Sequence, residues 1–290
     1  MRVLVANKCG FCPGVRNAIS TAEKLLKTAS DTDCVCSLGP VIHNRDEVNR
    51  LEQAGLAVVE SVDDIQGGSV LIRSHGAAPN QFERITRKGA RIVDATCVLV
   101  KRFQKIAKQL EDDGLQVIII GEENHPEVQA VVGGLNHAIV ITSQDDLAKI
   151  PDGAKLGIVS QTTQSPDHFG TMLGLIAQSN FRELRVINTL CKESRKRQEA
   201  AVELCKEVDI MFVLGGLHSA NTARLAEMCT KFNPNTYHLQ SWKDLNTTVL
   251  AQKSVAGVTA GASTPDWIID DFVTCLKTWP DPDKTSSVSS

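Results

Sequence analysis

The sequence predicts an α/β protein built from three similar units with parallel sheets in a pseudo-threefold arrangement. Two observations predict this. Strand-sized apolar runs alternate with amphipathic helical patterns, which indicates parallel sheets covered by helices. And three kinds of segment recur three times, in the same order, with a period of roughly ninety residues.

The first recurring segment is a Val/Ile-rich strand that reaches Asn or Asp, then a cysteine, then a helical pattern. Its copies are VLVANKCGFCPGVR, RIVDATCVLVK and RVINTLCKESR. A basic residue stands four places after each cysteine: Arg16, Lys101 and Arg195. That offset selects Cys12, not Cys9, as the equivalent of Cys97 and Cys191. The second segment is a strand, a glycine and a histidine at a helix start: CVCSLGPVIHNRDEV, VIIIGEENHPEV and IMFVLGGLHSANTARL, with His43, His125 and His218 in matching places. The third is a strand, a small polar loop and a proline opening a helix: VLIRSHGAAPNQF, LGIVSQTTQSPDHF and SVAGVTAGASTPDWI, with Pro79, Pro166 and Pro265. Proline in a first helical turn has its φ pre-set and loses no needed hydrogen bond.

The expected units are residues 1–96, 97–190 and 191–280, followed by a polar tail, 281–290, expected to be disordered. The third unit lacks the strand that would follow its proline-initiated helix. The strand in residues 1–8 has no predecessor and is expected to complete it.

Composition narrows the function classes. The chain has 290 residues, of which 42% are hydrophobic and 22% charged, with a formal net charge of -3. No bulk basic field points to nucleic acid. No apolar run approaches the ~20 residues of a membrane helix. The start, MRVLVANKCGFC, reads as a strand, not a signal peptide, so the expected location is cytoplasmic. Nine cysteines, an odd number without a secreted disulfide pattern, suggest metal or redox chemistry.

Ligands of parallel sheets gather at the carboxyl ends of strands. Cys12, Cys97 and Cys191 are each expected directly after a strand and at a helix start, where the dipole favours thiolate. Three thiolates fit either zinc or an iron–sulfur cluster with one iron left open. Cys34, Cys36, Cys205, Cys229 and Cys275 read as core packing. The pair Cys9 and Cys12 offers a competing reading as a thiol–disulfide motif, which leaves Cys97 and Cys191 unexplained.

The other loops at strand ends carry polar residues suited to an anion. These include His43, His75, His125, Thr162, Ser219, Asn221 and Ser263. Taken singly, Ser219, Asn221 and Ser263 are ordinary helix caps, and His43 or His75 a structural histidine. Glu127 is the carboxylate placed to act as a proton donor; otherwise it is a favourable first-turn acid. No Walker or G-x-G-x-x-G sequence indicates a nucleotide.

Taken together, GFCPGVRNAI, VIHN, RSHGA, DATC, ENHPEV, SQTTQS, NTLC with RQEA, HSANTARL and TAGASTPD closely resemble the 4-hydroxy-3-methylbut-2-enyl diphosphate reductase family of the non-mevalonate isoprenoid pathway. The resemblance implies three α/β domains around a central metal cluster, a [4Fe–4S] centre held by Cys12, Cys97 and Cys191. It implies diphosphate binding by His43, His75, His125, Ser219, Asn221 and Ser263. Thr162 would sit at the substrate hydroxyl and Glu127 would supply protons. The implied reaction removes the allylic hydroxyl reductively to give isopentenyl and dimethylallyl diphosphates, with electrons from reduced ferredoxin or flavodoxin. Val98 departs from the family's usual Pro, Ala220 from Ser and Ser194 from Thr. A zinc or iron–sulfur binding module without catalysis is the alternative that the thiolates alone would support.

Overall fold

The computed structural model describes residues 1–30 and 34–279; the expected tail at 281–290 lies outside them. In chain order the main elements are β1 (Arg2–Val5), α1 (Pro13–Thr28), β2 (Val35–Leu38), α2 (Arg45–Gln53), β3 (Ala57–Val59), β4 (Ser69–Ile72), α3 (Pro79–Arg87) and β5 (Arg91–Asp94). There follow α4 (Val98–Asp112), β6 (Gln116–Ile120), α5 (Pro126–Val132), β7 (Ala138–Ile141), β8 (Ala154–Ser160), α6 (Pro166–Ile176) and β9 (Phe181–Val186). The last are α7 (Lys192–Cys205), β10 (Ile210–Leu214), α8 (Ala220–Phe232), β11 (Thr236–Leu239), β12 (Val255–Ala260) and α9 (Asp266–Thr278).

These strands form three four-stranded sheets in the orders β3-β2-β4-β5, β7-β6-β8-β9 and β11-β10-β12-β1, with every pairing parallel. Within each sheet the second strand of the set lies at one edge and the fourth at the other. In the third sheet that fourth place is taken by β1, with Arg2 opposite Val255 and Val5 opposite Val258. The α/β architecture of three parallel sheets is thus the one the repeats predict.

The apolar runs of β6 and β10 read continuously because both faces are covered. On β10, Ile210, Phe212 and Leu214 pack with Phe272 and Leu276 of α9, while Met211 and Val213 pack with Ala201 and Leu225 of α7 and α8. On β6, Val117 and Ile119 pack against α4, and Ile118 and Ile120 against α6. The edge strands β1, β5 and β9 are partly exposed. On α1, Val15, Ala18, Ile19, Ala22 and Leu25 form one buried stripe at helical spacing.

The chain divides into two compact units. Unit 1 comprises Met1–Cys12, His43–Glu47 and the chain from Lys192 onward; unit 2 comprises Pro13–Ile42 and Val48–Cys191. The third sheet belongs to unit 1, the other two to unit 2.

Three local expectations need correction. Cys34 precedes β2 and is exposed, so it is not a core residue, whereas Cys36, Cys205 and Cys229 are buried. Pro79 and Pro166 are first helical residues, but Pro265 caps α9 from one residue earlier. The three cysteines do not follow their strands directly. Cys97 comes after β5 and two further residues, Cys191 after β9 and four, and Cys12 after β1 and six.

Candidate functional site

Loops of different length bring the three cysteines to equivalent places. Each thiol stands immediately before a helix: Cys12 before α1, Cys97 as the cap of α4, Cys191 before α7. The Cys97 side chain makes no capping hydrogen bond. Each cysteine N–H donates to the carbonyl two residues beyond the neighbouring strand. Cys97 donates to Ser74 O at 3.0 Å, Cys191 to Thr162 O at 2.8 Å and Cys12 to Ala262 O at 3.1 Å. The bond is the same in all three sheets, and in each it fastens the cysteine loop to the small polar loop beside it.

The loops themselves are held by side chains. Before Cys97, Asp94 accepts from the Thr96 N–H at 2.9 Å and pairs with Lys101 at 2.6 Å. Before Cys191, Thr189 Oγ1 donates to Ser160 O at 2.6 Å and accepts from Ser160 N at 2.8 Å. Before Cys12 the chain turns at Gly10, with φ of +75°. A Cβ there would lie 2.9 Å from both Asp266 Oδ1 and Ile269 Cδ1, so this turn requires glycine.

Cys9 packs beside the apolar core of unit 1. Burial pushes its thiol up to about 12, against a smaller opposing effect of Arg197. A thiol–disulfide motif needs a depressed thiol as its nucleophile, which counts against Cys9 in that role. All nine cysteines are outside disulfides.

In unit 2 the structure places His75, Cys97, His125, Glu127, Thr162 and Cys191. The rings of His75 and His125 meet edge to face, centroids 5.5 Å apart. His125 caps α5, its Nδ1 accepting from the Glu127 N–H at 3.2 Å. In the neutral ring the proton therefore sits on Nε2, leaving that edge as a donor. Glu127 is 2% exposed. Its Oε1 accepts from Thr162 N–H at 2.7 Å and its Oε2 from Thr162 Oγ1–H at 2.9 Å. Burial pushes the Glu127 carboxyl up to about 7, against the lowering effect of both Thr162 bonds. Glu127 is thus a buried first-turn acid whose two oxygens both accept hydrogen bonds from Thr162.

In unit 1 the structure places Cys12, His43, Ser219, Asn221 and Ser263. Ser263 Oγ donates to His43 O at 3.4 Å, and the Cα of Gly216 lies so close to that carbonyl that a Cβ would approach to 2.9 Å. Asn44 anchors the start of α2 by accepting from Glu47 N–H at 3.0 Å. Ser219 does cap α8, accepting from the Thr222 N–H at 3.4 Å, and it also accepts from the Thr222 hydroxyl at 3.0 Å. Asn221 Oδ1 accepts from Ser194 Oγ at 3.4 Å. Ser194 keeps the hydroxyl that its departure from the family's usual Thr leaves intact, and it is buried. Val98 is exposed, and Ala220 is half-buried as the first residue of α8.

Sequence reasoning assigned no role to Arg197, which is 5% exposed. The signal was present: Ser194, Arg197, Ala201 and Leu204 recur at helical spacing on the buried face of α7, and a charge on such a stripe needs a reason.

No helix among the described residues is long and apolar enough to cross a membrane. Comparison with known proteins finds the LytB protein family model matching residues 3–277. The 4-hydroxy-3-methylbut-2-enyl diphosphate reductase of Trichlorobacter lovleyi is 39% identical over 277 residues, covering 95% of this chain and 98% of its own. That of Aquifex aeolicus is 39% identical over 272 residues, covering 92% and 93%. A solved (E)-4-hydroxy-3-methyl-but-2-enyl diphosphate reductase, the terminal enzyme of the non-mevalonate pathway, has a TM-score of 0.72 at 38% identity, covering 96% of this chain and 99% of that one. The E-1-hydroxy-2-methyl-but-2-enyl-4-diphosphate reductase of Plasmodium falciparum has a TM-score of 0.89 at 26% identity, covering 96% and 89%. A match over nearly the whole length, in sequence and in fold, settles the relationship: this chain belongs to the LytB protein family.

Proposed function

We propose that this chain reduces (E)-4-hydroxy-3-methylbut-2-enyl diphosphate to isopentenyl and dimethylallyl diphosphates. Two electrons and two protons enter, the allylic C–O bond breaks, and water leaves. The electrons come from a separate one-electron carrier, a reduced ferredoxin or flavodoxin.

Cys12, Cys97 and Cys191 are the residues that would hold a [4Fe–4S] cluster. The donor set fits: three thiols, each at a helix start, each on a loop fastened by the same backbone bond, and thiolate is the usual ligand of such clusters. When bound, the cluster supplies low-potential electrons and one iron with no protein ligand, a Lewis acid toward the substrate hydroxyl.

The chain's own residues do the rest. His43, His75, His125, Ser219, Asn221 and Ser263 bind the diphosphate through N–H and O–H donors, and so fix which end of the substrate reacts. His125 is suited to this because its Nδ1 is already engaged by the backbone. Glu127 supplies the proton that lets the hydroxyl leave as water. The Thr162 hydroxyl, hydrogen-bonded to Glu127 Oε2, takes that proton while giving up its own, and so extends the reach of a carboxyl that is itself buried.

The Glu127–Thr162 pair carries this reading, because a purely structural cysteine site has no use for a buried carboxyl that titrates near 7. The test is anaerobic reconstitution followed by turnover of the hydroxylated diphosphate. Brown protein that consumes the substrate supports the reading. Protein that binds one zinc and no sulfide, and leaves the substrate untouched, refutes it.

A further inference from the structure

The Arg197 guanidinium lies inside unit 1 with most of its bonding capacity unmet. Its Nη2–H donates to Gly10 O at 2.7 Å. Its Nε and Nη1 are buried and have no hydrogen-bond partner among the described residues. A guanidinium stays charged at any physiological pH, and a buried charge without an answering group is costly. Neither of two nearby groups hydrogen-bonds these two nitrogens. Cys9 is kept as a neutral thiol by burial, and Asp266 sits against the Cα of Gly10. The bond that Arg197 does make is to the six-residue loop that leads from β1 to Cys12, two residues before the thiol.

We propose that Arg197 is a positioning residue for the cysteine centre: one edge of its guanidinium fixes the Cys12 loop, and its charge offsets the negative charge of the thiolate-bound cluster. This rests on the cluster reading above. Three thiolates and an oxidised cube carry one net negative charge, and reduction by one electron adds a second. A cation held in a low-dielectric interior favours the more negative state. The residue therefore makes the centre easier to reduce, and its own burial is tolerable because the centre is anionic.

The inference separates from an ordinary structural role by two measurements on wild type, Arg197→Gln and Arg197→Lys. Glutamine keeps a donor for Gly10 O and removes the charge; lysine keeps the charge and removes the planar fork. The Arg197→Gln apoprotein should melt at or above the wild-type temperature, because it has lost an unanswered buried charge. In reconstituted protein titrated with dithionite against redox dyes, Arg197→Gln should shift the one-electron equilibrium at least tenfold toward the oxidised form, about 59 mV. Arg197→Lys should stay within threefold of wild type. Loss of iron by Arg197→Gln with an unchanged apoprotein melt, restored in Arg197→Lys, supports the same conclusion. A titration of Arg197→Gln that overlays wild type overturns the proposal. So does an Arg197→Gln apoprotein that melts well below wild type, which would make Arg197 a structural clamp, or an Arg197→Lys shift as large as that of Arg197→Gln. Wild-type protein that takes up neither iron nor sulfide fails at the earlier step and refutes the cluster reading itself.

Discussion

Glu127 in unit 2 and Arg197 in unit 1 are both ionisable and both almost fully buried, yet they are treated in opposite ways. Both carboxylate oxygens of Glu127 accept hydrogen bonds, and both come from Thr162. Among the described residues only one nitrogen of Arg197 has a hydrogen-bond partner. The difference follows from what each group can do about its charge. A buried carboxyl can neutralise itself by taking up a proton, and burial brings that event to about pH 7. A guanidinium has no such option, so its charge must be answered from outside the side chain. The first arrangement suits the proton donor proposed above, the second the positioning charge proposed above.

The sharpest way to break this comparison is Glu127→Gln. Glutamine can accept from the Thr162 N–H and donate to the Thr162 hydroxyl, so the fold and the iron content should hold. Turnover should fall by about 10²–10⁴-fold, the range for losing a general acid. Anaerobic assays alongside iron analysis check this; a variant of near wild-type rate would show that the proton comes from elsewhere.

The next effect is on stability. The carboxyl of Glu127 is raised from 4.5 in the unfolded chain to about 7 in the folded one. Between these values the folded state holds a proton that the unfolded state has lost. Stability is therefore highest below pH 4.5 with respect to this group, and it declines as pH rises to about 7. The full loss is about 3 kcal/mol. Denaturant melts of the apoprotein against pH should show this decline in wild type, and Glu127→Gln should remove that component. Identical profiles would mean that Glu127 is not the buried titrating group described above.

Thr162→Val gives the smallest change. It removes the hydroxyl but keeps the N–H bond to Glu127. Losing a bond that favours the carboxylate moves the titration of Glu127 further upward. The alkaline limb of kcat should shift to higher pH, with kcat down about tenfold, on the order of 1.4 kcal/mol. A pH–rate profile that is lower but not displaced would mean that Thr162 does not tune the acid.

Much of this was legible beforehand, and the particular residues show why. β6 and β10 announce themselves as buried strands because a parallel strand covered on both faces needs apolar side chains at every position. The three-copy order of cysteine, histidine and proline located the loops at strand ends, since the same topology recurs in each sheet. The Cys12 loop was harder. Nothing in ANKCGF states that six residues separate strand from thiol, because the strand ends where its pairing with β12 ends. Cys34 was misplaced for a similar reason: it adjoins an apolar run but lies just outside the paired segment. The Glu127–Thr162 contact joins residues 35 apart in sequence, and only folding brings them within bonding distance. Arg197 was visible as a charge on an apolar stripe, but its single bond to Gly10, 187 residues away, was not.

The place of β1 beside β12 also sets an order of events during synthesis. β1 is translated long before β12, whose Val255 stands opposite Arg2, emerges from the ribosome. Until then β12's neighbour must wait, unpaired, while the sheets of unit 2 complete themselves from strands that lie close together in the chain. Closing so long a loop adds little to the free energy of the finished protein, because that cost grows only with the logarithm of length, but it slows the search for the right pairing. The waiting strand leads into the loop that bears Cys12, so of Cys12, Cys97 and Cys191 the first translated is the last to be fixed beside its neighbouring strand.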